Sequence, residues 1–146
     1  EPELCVRLRA AGWTIWRLDA EMTLHDANLT RLSQWWTRNK RAGFAFAEGA
    51  AMHGAPPERH GVRQTRLALI WGAALPVIAI LGVAITPWSL ALLLLWPAQV
   101  LRMARRDKDL TRAFFLVLGK LPEAQGALSY WWQRLRGRRG GLIEYK

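Results

Sequence analysis

The chain has 146 residues, 51% of them hydrophobic, and a formal net charge of +10. This length holds at most one ordinary domain with an appendage, and nine tryptophans among so many apolar residues exclude global disorder. The single cysteine, Cys5, excludes a disulfide framework within the chain. The chain begins at Glu1 without a methionine, and we expect it to be the C-terminal part of something larger.

The first third of the chain predicts two helices and a strand. A helix is expected from the start of the chain, with Gly12 as the glycine that ends it. Residues 13–18 are rich in β-forming side chains and predict a short strand. A second helix is expected over about 28–52, ending before the paired prolines Pro56 and Pro57.

The middle of the chain predicts a membrane segment. Residues 67–101 contain no charge, and Pro87 near their centre divides them into helices over about 66–85 and 88–104. The alternative is a helical hairpin buried in a soluble core. Both flanks are basic, so the positive-inside rule predicts that both ends face the cytoplasm.

The last part of the chain predicts two short amphipathic helices with basic residues. Trp131 and Trp132 stand beside Arg134 and Arg136, a composition typical of a helix that lies on anionic lipid. Nucleic-acid binding is the alternative for so basic a chain. We expect lipid and no nucleic acid, because the basic run directly follows the apolar segment.

The polar residues with catalytic character are near the start of the chain. Two carboxylates, Glu1 and Glu3, precede His25 and Asp26, and such side chains serve as general bases and metal ligands. The alternative is that the glutamates cap a helix and that the histidine is an ordinary polar surface residue.

Three segments resemble family 2 glycosyltransferases of the GT-A fold. Glu1-Pro2-Glu3-Leu4-Cys5-x-Arg7-Leu8-Arg9 followed by Gly12-Trp13 is similar to the acidic motif and helix of that family. The run from Asp19 to His25 resembles the following strand-to-loop segment, and Gln34-Trp35-Trp36-Thr37-Arg38 resembles the Gln-x-x-Arg-Trp motif of the membrane-bound members. The terminal Ile143-Glu144-Tyr145-Lys146 is also similar to bacterial membrane enzymes of this kind.

The resemblance implies a role for each matching residue. Glu1 would be the base that deprotonates the acceptor, Glu3 would orient or cap, and His25 would bind Mn²⁺ or Mg²⁺. Gln34, Arg38 and Trp35 would lie near the acceptor or the leaving diphosphate. The donor would be a nucleotide sugar and the acceptor a glycan or a lipid-linked molecule. The family's Asp-x-Asp motif is missing from its expected place ahead of the acidic motif, since Asp107-Lys108-Asp109 matches the letters but follows the apolar segment. The resemblance therefore implies that this chain alone is inactive.

The expected architecture is mainly α with a small α/β remnant. Residues 1–65 would be the C-terminal part of a GT-A domain, 66–104 a transmembrane hairpin, and 105–146 a basic amphipathic cytoplasmic tail. The expected location is the inner membrane of a bacterium. The alternative function is a membrane-anchored interaction module without an active site, whose basic tail binds lipid or a partner.

Overall fold

A computed structural model describes residues 2–16, 18–19 and 29–137, and this part of the chain is mainly helical. Its α-helices are α1 (Pro2–Ala10), α2 (Leu32–His53), α3 (Val62–Leu69), α4 (Leu75–Leu81), α5 (Leu95–Asp107), α6 (Leu110–Leu118) and α7 (Lys120–Leu135). A π-helical turn, Ile70–Ala74, joins α3 to α4, and 3₁₀ segments cover Gly82–Ala84 and Pro87–Leu94.

The expected strand over residues 13–18 is wrong. Residues 13–16 are irregular, with Trp13 68% and Trp16 85% exposed. A β-strand needs a neighbouring strand for its backbone hydrogen bonds, and the described residues provide none. The mainly helical prediction is confirmed, whereas the α/β remnant of a GT-A domain stays a prediction.

Helix α1 ends as the sequence predicts. Gly12 adopts φ +84°, in the left-handed region that favours glycine. The Trp13 N–H donates to the carbonyl of Leu8, and the Gly12 N–H donates to that of Arg9. These two bonds are the Schellman pattern of a helix C-terminus, so Gly12 ends α1 as expected.

The core lies where α2 crosses α7. A Cβ atom added at Gly43 would overlap the backbone of Glu123, and one added at Gly126 would overlap the carbonyl of Lys40. Ala47 on α2 and Ala127 on α7 are fully buried. Small side chains therefore bring the two helix backbones together, and dispersion between close-packed atoms stabilises the crossing.

One helix is long and apolar enough to cross a membrane. It runs over Val62–Ala84, through α3, the π-turn, α4 and the first 3₁₀ segment, with 23 residues and a mean hydropathy of 2.4 in its most apolar window. At 1.5 Å per residue this is about 35 Å, against a hydrocarbon core of about 30 Å. Only 11% of that window is buried.

The π-turn has a local cause in Pro76. The N–H of Leu75 donates to the Ile70 carbonyl, five residues back, and Pro76 has no N–H to donate. The Trp71 carbonyl accepts instead from the indole Nε1 of Trp96, at 3.2 Å. This bond ties α5 to the apolar helix.

The chain returns beside the apolar helix after Thr86. The hydroxyl of Ser89 donates to the Ala79 carbonyl at 2.8 Å, and Pro87–Leu94 contacts α4. The return begins as a 3₁₀ helix, and in the described part of the chain only Val62–Ala84 has the length and composition of a span. The second span of the expected hairpin therefore stays a prediction.

The C-terminal helices begin where the sequence predicts. The Asp109 carboxylate accepts from the N–H of Arg112 at 2.8 Å and caps α6. Pro122 and Glu123 lie in the first turn of α7. Helix α7 then packs on α2, α3 and the π-turn, and so lies against the first half of the apolar helix.

Candidate functional site

The predicted base and metal ligand, Glu1 and His25, lie outside the described residues. Their neighbour in the acidic motif, Glu3, is in the first turn of α1. Its Oε1 lies 3.0 Å from His53 Nε2 at the end of α2, and Arg7 Nε lies 3.0 Å from the same oxygen. Arg7 also donates to Glu3 Oε2 at 3.1 Å.

These contacts keep Glu3 ionised. The hydrogen bond from His53 lowers the pKa of Glu3, and the charge of Arg7 lowers it further, whereas partial burial opposes the shift. A carboxylate with a lowered pKa is a weaker base, and both of its oxygens already have donors. Glu3 is therefore suited to hold α1 against α2. Proton transfer would fall to another group.

A second ion pair holds the other end of α1. Arg9 donates from Nε and Nη2 to the two carboxylate oxygens of Glu58, at 3.0 and 2.8 Å. The hydrogen bond between them raises the pKa of Arg9 and lowers that of Glu58. Helix α1 is thereby attached to α2 at its N-terminal end and to the loop that leads into the apolar helix at its C-terminal end.

The sequence analysis did not identify His53 or Glu58. His53 is 50 residues from Glu3, and Glu58 is 49 from Arg9. Residues so far apart in the sequence form no short-range pattern that would predict such pairs. The available clue is that His53 and Glu58 are polar residues on either side of Pro56 and Pro57, where the helix is expected to end.

Gln34, Trp35 and Arg38 lie on the first turns of α2. The Gln34 amide oxygen accepts from the backbone N–H groups of Thr30 and Arg31, both at 3.1 Å, so it caps the helix. Trp35 packs edge-on against Phe115 of α6, with ring centroids 5.3 Å apart. Arg38 is exposed. Of the three side chains, Arg38 has the most freedom to meet a ligand.

The predicted membrane-surface residues form one exposed patch on α7. Trp131 is 39% and Trp132 55% exposed. The Arg136 guanidinium lies over the Trp132 ring at 4.2 Å, and that of Arg134 lies 5.7 Å from the Trp131 ring centre. We call these four residues the Trp-Arg patch. Such a patch presents flat apolar rings and positive charge together.

Neither a metal site in the described residues nor a similar protein indicates what this chain does. Over residues 2–16, 18–19 and 29–137, no group of three or more His, Cys, Asp or Glu side chains is arranged to hold a metal ion. Comparison with protein-family models, with curated proteins and with solved structures finds no match.

Proposed function

We propose that this chain is the acceptor-side part of an inverting, family 2-like glycosyltransferase on the cytoplasmic face of a bacterial inner membrane. It would transfer a sugar from a nucleotide-sugar donor to a glycan or a lipid-linked acceptor. The observation that carries this proposal is the attachment of Glu3 to His53. That contact holds the acidic motif one loop away from the helix that could cross a membrane.

The chemistry requires a base at the acceptor hydroxyl. Glu1 is the residue of the acidic motif that we assign to this role. In the proposed reaction, Glu1 takes the hydroxyl proton as the oxygen attacks the anomeric carbon and the nucleoside diphosphate leaves from the opposite face. The Arg7 guanidinium offsets the charge of Glu3, and His53 hydrogen-bonds to the same carboxylate, so Glu3 repels the developing acceptor oxyanion less.

A divalent cation is part of this proposal. Mn²⁺ or Mg²⁺ would neutralise the leaving diphosphate, and His25 is the residue we assign as its ligand. Arg38 is exposed on α2, and a guanidinium can bind two phosphate oxygens at once, so we assign Arg38 to the leaving diphosphate.

Two features support placing this chemistry at a membrane. The apolar helix exposes large side chains such as Ile78, Ile80 and Leu81, whereas a soluble core helix would bury them. The Trp-Arg patch adds a surface suited to anionic headgroups. The same patch favours the second candidate, a membrane-anchored interaction module, because lipid binding requires no active site.

Sugar transfer by membranes that contain the whole gene product distinguishes the two candidates. We expect Glu1→Gln to lower turnover by about 10²- to 10⁴-fold with donor affinity nearly unchanged, since glutamine keeps the shape but accepts no proton. Glu48→Gln is the matched control, a half-buried carboxylate on α2. His25→Ala should shift the Mn²⁺ titration to higher concentration.

The contrary results are distinct. Absence of transfer from every nucleotide sugar, with vesicle binding retained, would favour the interaction module. Transfer that Glu1→Gln leaves at the wild-type rate would remove Glu1 as the base. An unchanged Mn²⁺ titration in His25→Ala would make His25 an ordinary loop residue.

A further inference from the structure

A crevice between α2 and α7 combines positive charge with hydrogen-bonding side chains. Its volume is about 330 Å³, which is at the lower end of the range of about 300–1,000 Å³ for small-molecule sites. The α2 wall consists of Thr37, Lys40, Arg41 and Phe44, and the α7 wall of Gly126, Ser129 and Gln133. We call this the α2–α7 crevice.

The spacing of these residues explains how the crevice forms. The α2 residues stand at i, i+3, i+4 and i+7, and the α7 residues at i, i+3 and i+7, so each wall is one helix face. At Gly126 the two backbones touch. Bulkier side chains hold the helices apart beside this contact and leave the open space.

The α2 wall of the crevice is held in place at Phe44 by residues of α7. Phe44 packs edge-on against Tyr130, with ring centroids 5.3 Å apart. The Tyr130 hydroxyl accepts a hydrogen bond from Arg134 at 3.0 Å. A site whose walls are fixed in advance binds with a smaller loss of side-chain freedom.

The charges and donors select the ligand. Among the residues that the structure describes, Lys40 and Arg41 line the crevice and no carboxylate does. The Glu123 carboxylate on α7 is paired with Lys120 at 2.6 Å. The Thr37 hydroxyl and the Gln133 amide are further donors, so the walls offer an anion both charge and hydrogen bonds.

We infer that the α2–α7 crevice binds a phosphoryl group, as a phosphate or a diphosphate. Lys40 and Arg41 supply the charge-assisted hydrogen bonds, and Gln133 and Thr37 complete the contacts. The Ser129 hydroxyl already donates to the Gln125 carbonyl at 2.7 Å, so it offers lone pairs only. Ser129 is therefore suited to accept from a hydroxyl next to the phosphoryl group, and the site fits a phosphorylated polyol or sugar.

Binding to the whole chain in nanodiscs of neutral phosphatidylcholine tests this inference without an activity assay. One arm titrates inorganic diphosphate, and the other replaces part of the lipid with phosphatidate; the comparison distinguishes a soluble phosphoryl ligand from a lipid headgroup. We expect Lys40→Gln and Arg41→Gln each to weaken binding about tenfold, the loss of one charge-assisted hydrogen bond. Gln133→Ala should weaken it less.

Arg112→Gln is the matched control, because it removes one exposed charge from α6, outside the crevice. Retained binding in this control, with loss in the crevice variants, supports the site. Equal loss in Arg112→Gln and Lys40→Gln overturns it, since only general charge would then matter. Absence of binding in both arms also overturns it. Thermal unfolding of each variant, with Gln133→Ala as the mildest change, separates lost binding from lost folding.

Discussion

The contact between α2 and α7 makes a direct prediction for Gly126→Ala. In a helix interior this substitution alone would stabilise the protein by up to about 1 kcal/mol. Here the new methyl group overlaps the carbonyl of Lys40 and crowds the backbone nitrogen of Phe44. Backbone atoms cannot rotate away as a side chain can, so the two helices must separate. Overpacking of this kind costs about 1–3 kcal/mol, and occasionally more.

We therefore expect Gly126→Ala to destabilise the protein by about 1–2 kcal/mol in total. For a chain of this size, that corresponds to a melting temperature about 2–8 °C lower. Thermal unfolding in a mild detergent, followed by circular dichroism and tryptophan fluorescence, measures the change.

Gly12→Ala is the control for backbone strain without steric overlap. Nothing lies within 4 Å of the added methyl group, while φ is +84°. Gly12→Ala should destabilise α1 by about 1–2 kcal/mol, because the new side chain is held in the left-handed region. The α7 tryptophans should report no change. A Gly126→Ala protein that melts at or above the wild-type temperature would refute the close crossing of α2 and α7.

The remaining predictions concern the α1 attachment and the membrane. Because the pKa of Glu3 is lowered from 4.5 by His53, the attachment is complete above pH 4.5 and is lost as the pH falls below it; His53→Ala should flatten the melting temperature measured from pH 5 to pH 3. The pKa of Glu58 is lowered mainly by the hydrogen bond from Arg9, which both proteins keep, and to a smaller extent by the charge of His53, so the loss of His53 flattens this contribution in the same direction. Arg134→Gln with Arg136→Gln should weaken binding to anionic vesicles about 30-fold at low salt, at about 1 kcal/mol per charge, and equal binding to neutral vesicles at every salt concentration would contradict the role of the Trp-Arg patch. If both ends of the apolar segment are cytoplasmic, cysteines introduced at positions 63 and 108 of a cysteine-free variant should resist labelling from the periplasm, while one at position 87 should react.

Local signals in the sequence were sufficient for most helices. Gly12 ends α1 and Asp109 begins α6 because caps act on backbone groups only a few residues away. The predicted start of α2, at about residue 28, lies about four residues before the observed start at Leu32. There the Gln34 side chain bonds back to Thr30 and Arg31, so the regular helix begins at Leu32. Capping of this kind depends on a side-chain conformation, which periodicity does not reveal.

The strand prediction was wrong for a different reason. Residues 13–16 have strong β-propensity, but propensity measures how well a side chain fits a sheet that already exists. Without a partner strand in the described residues, the backbone of this segment remains irregular. The roles assigned to Glu1, His25 and the motif around Arg38 stay predictions, since they depend on resemblance rather than on contacts.

Three features can be read from the amino-acid sequence alone: the helical character of the chain, the caps of α1 and α6, and one uncharged stretch long enough to cross a membrane. Each of these depends on interactions within a few residues, or on composition alone. Only the tertiary structure decided that His53 holds Glu3, that Gly43 and Gly126 bring α2 against α7, and that Trp96 bonds to the Trp71 carbonyl. Those contacts join residues from 25 to more than 80 positions apart. Their formation depends on where whole helices pack, and no local pattern carries that information.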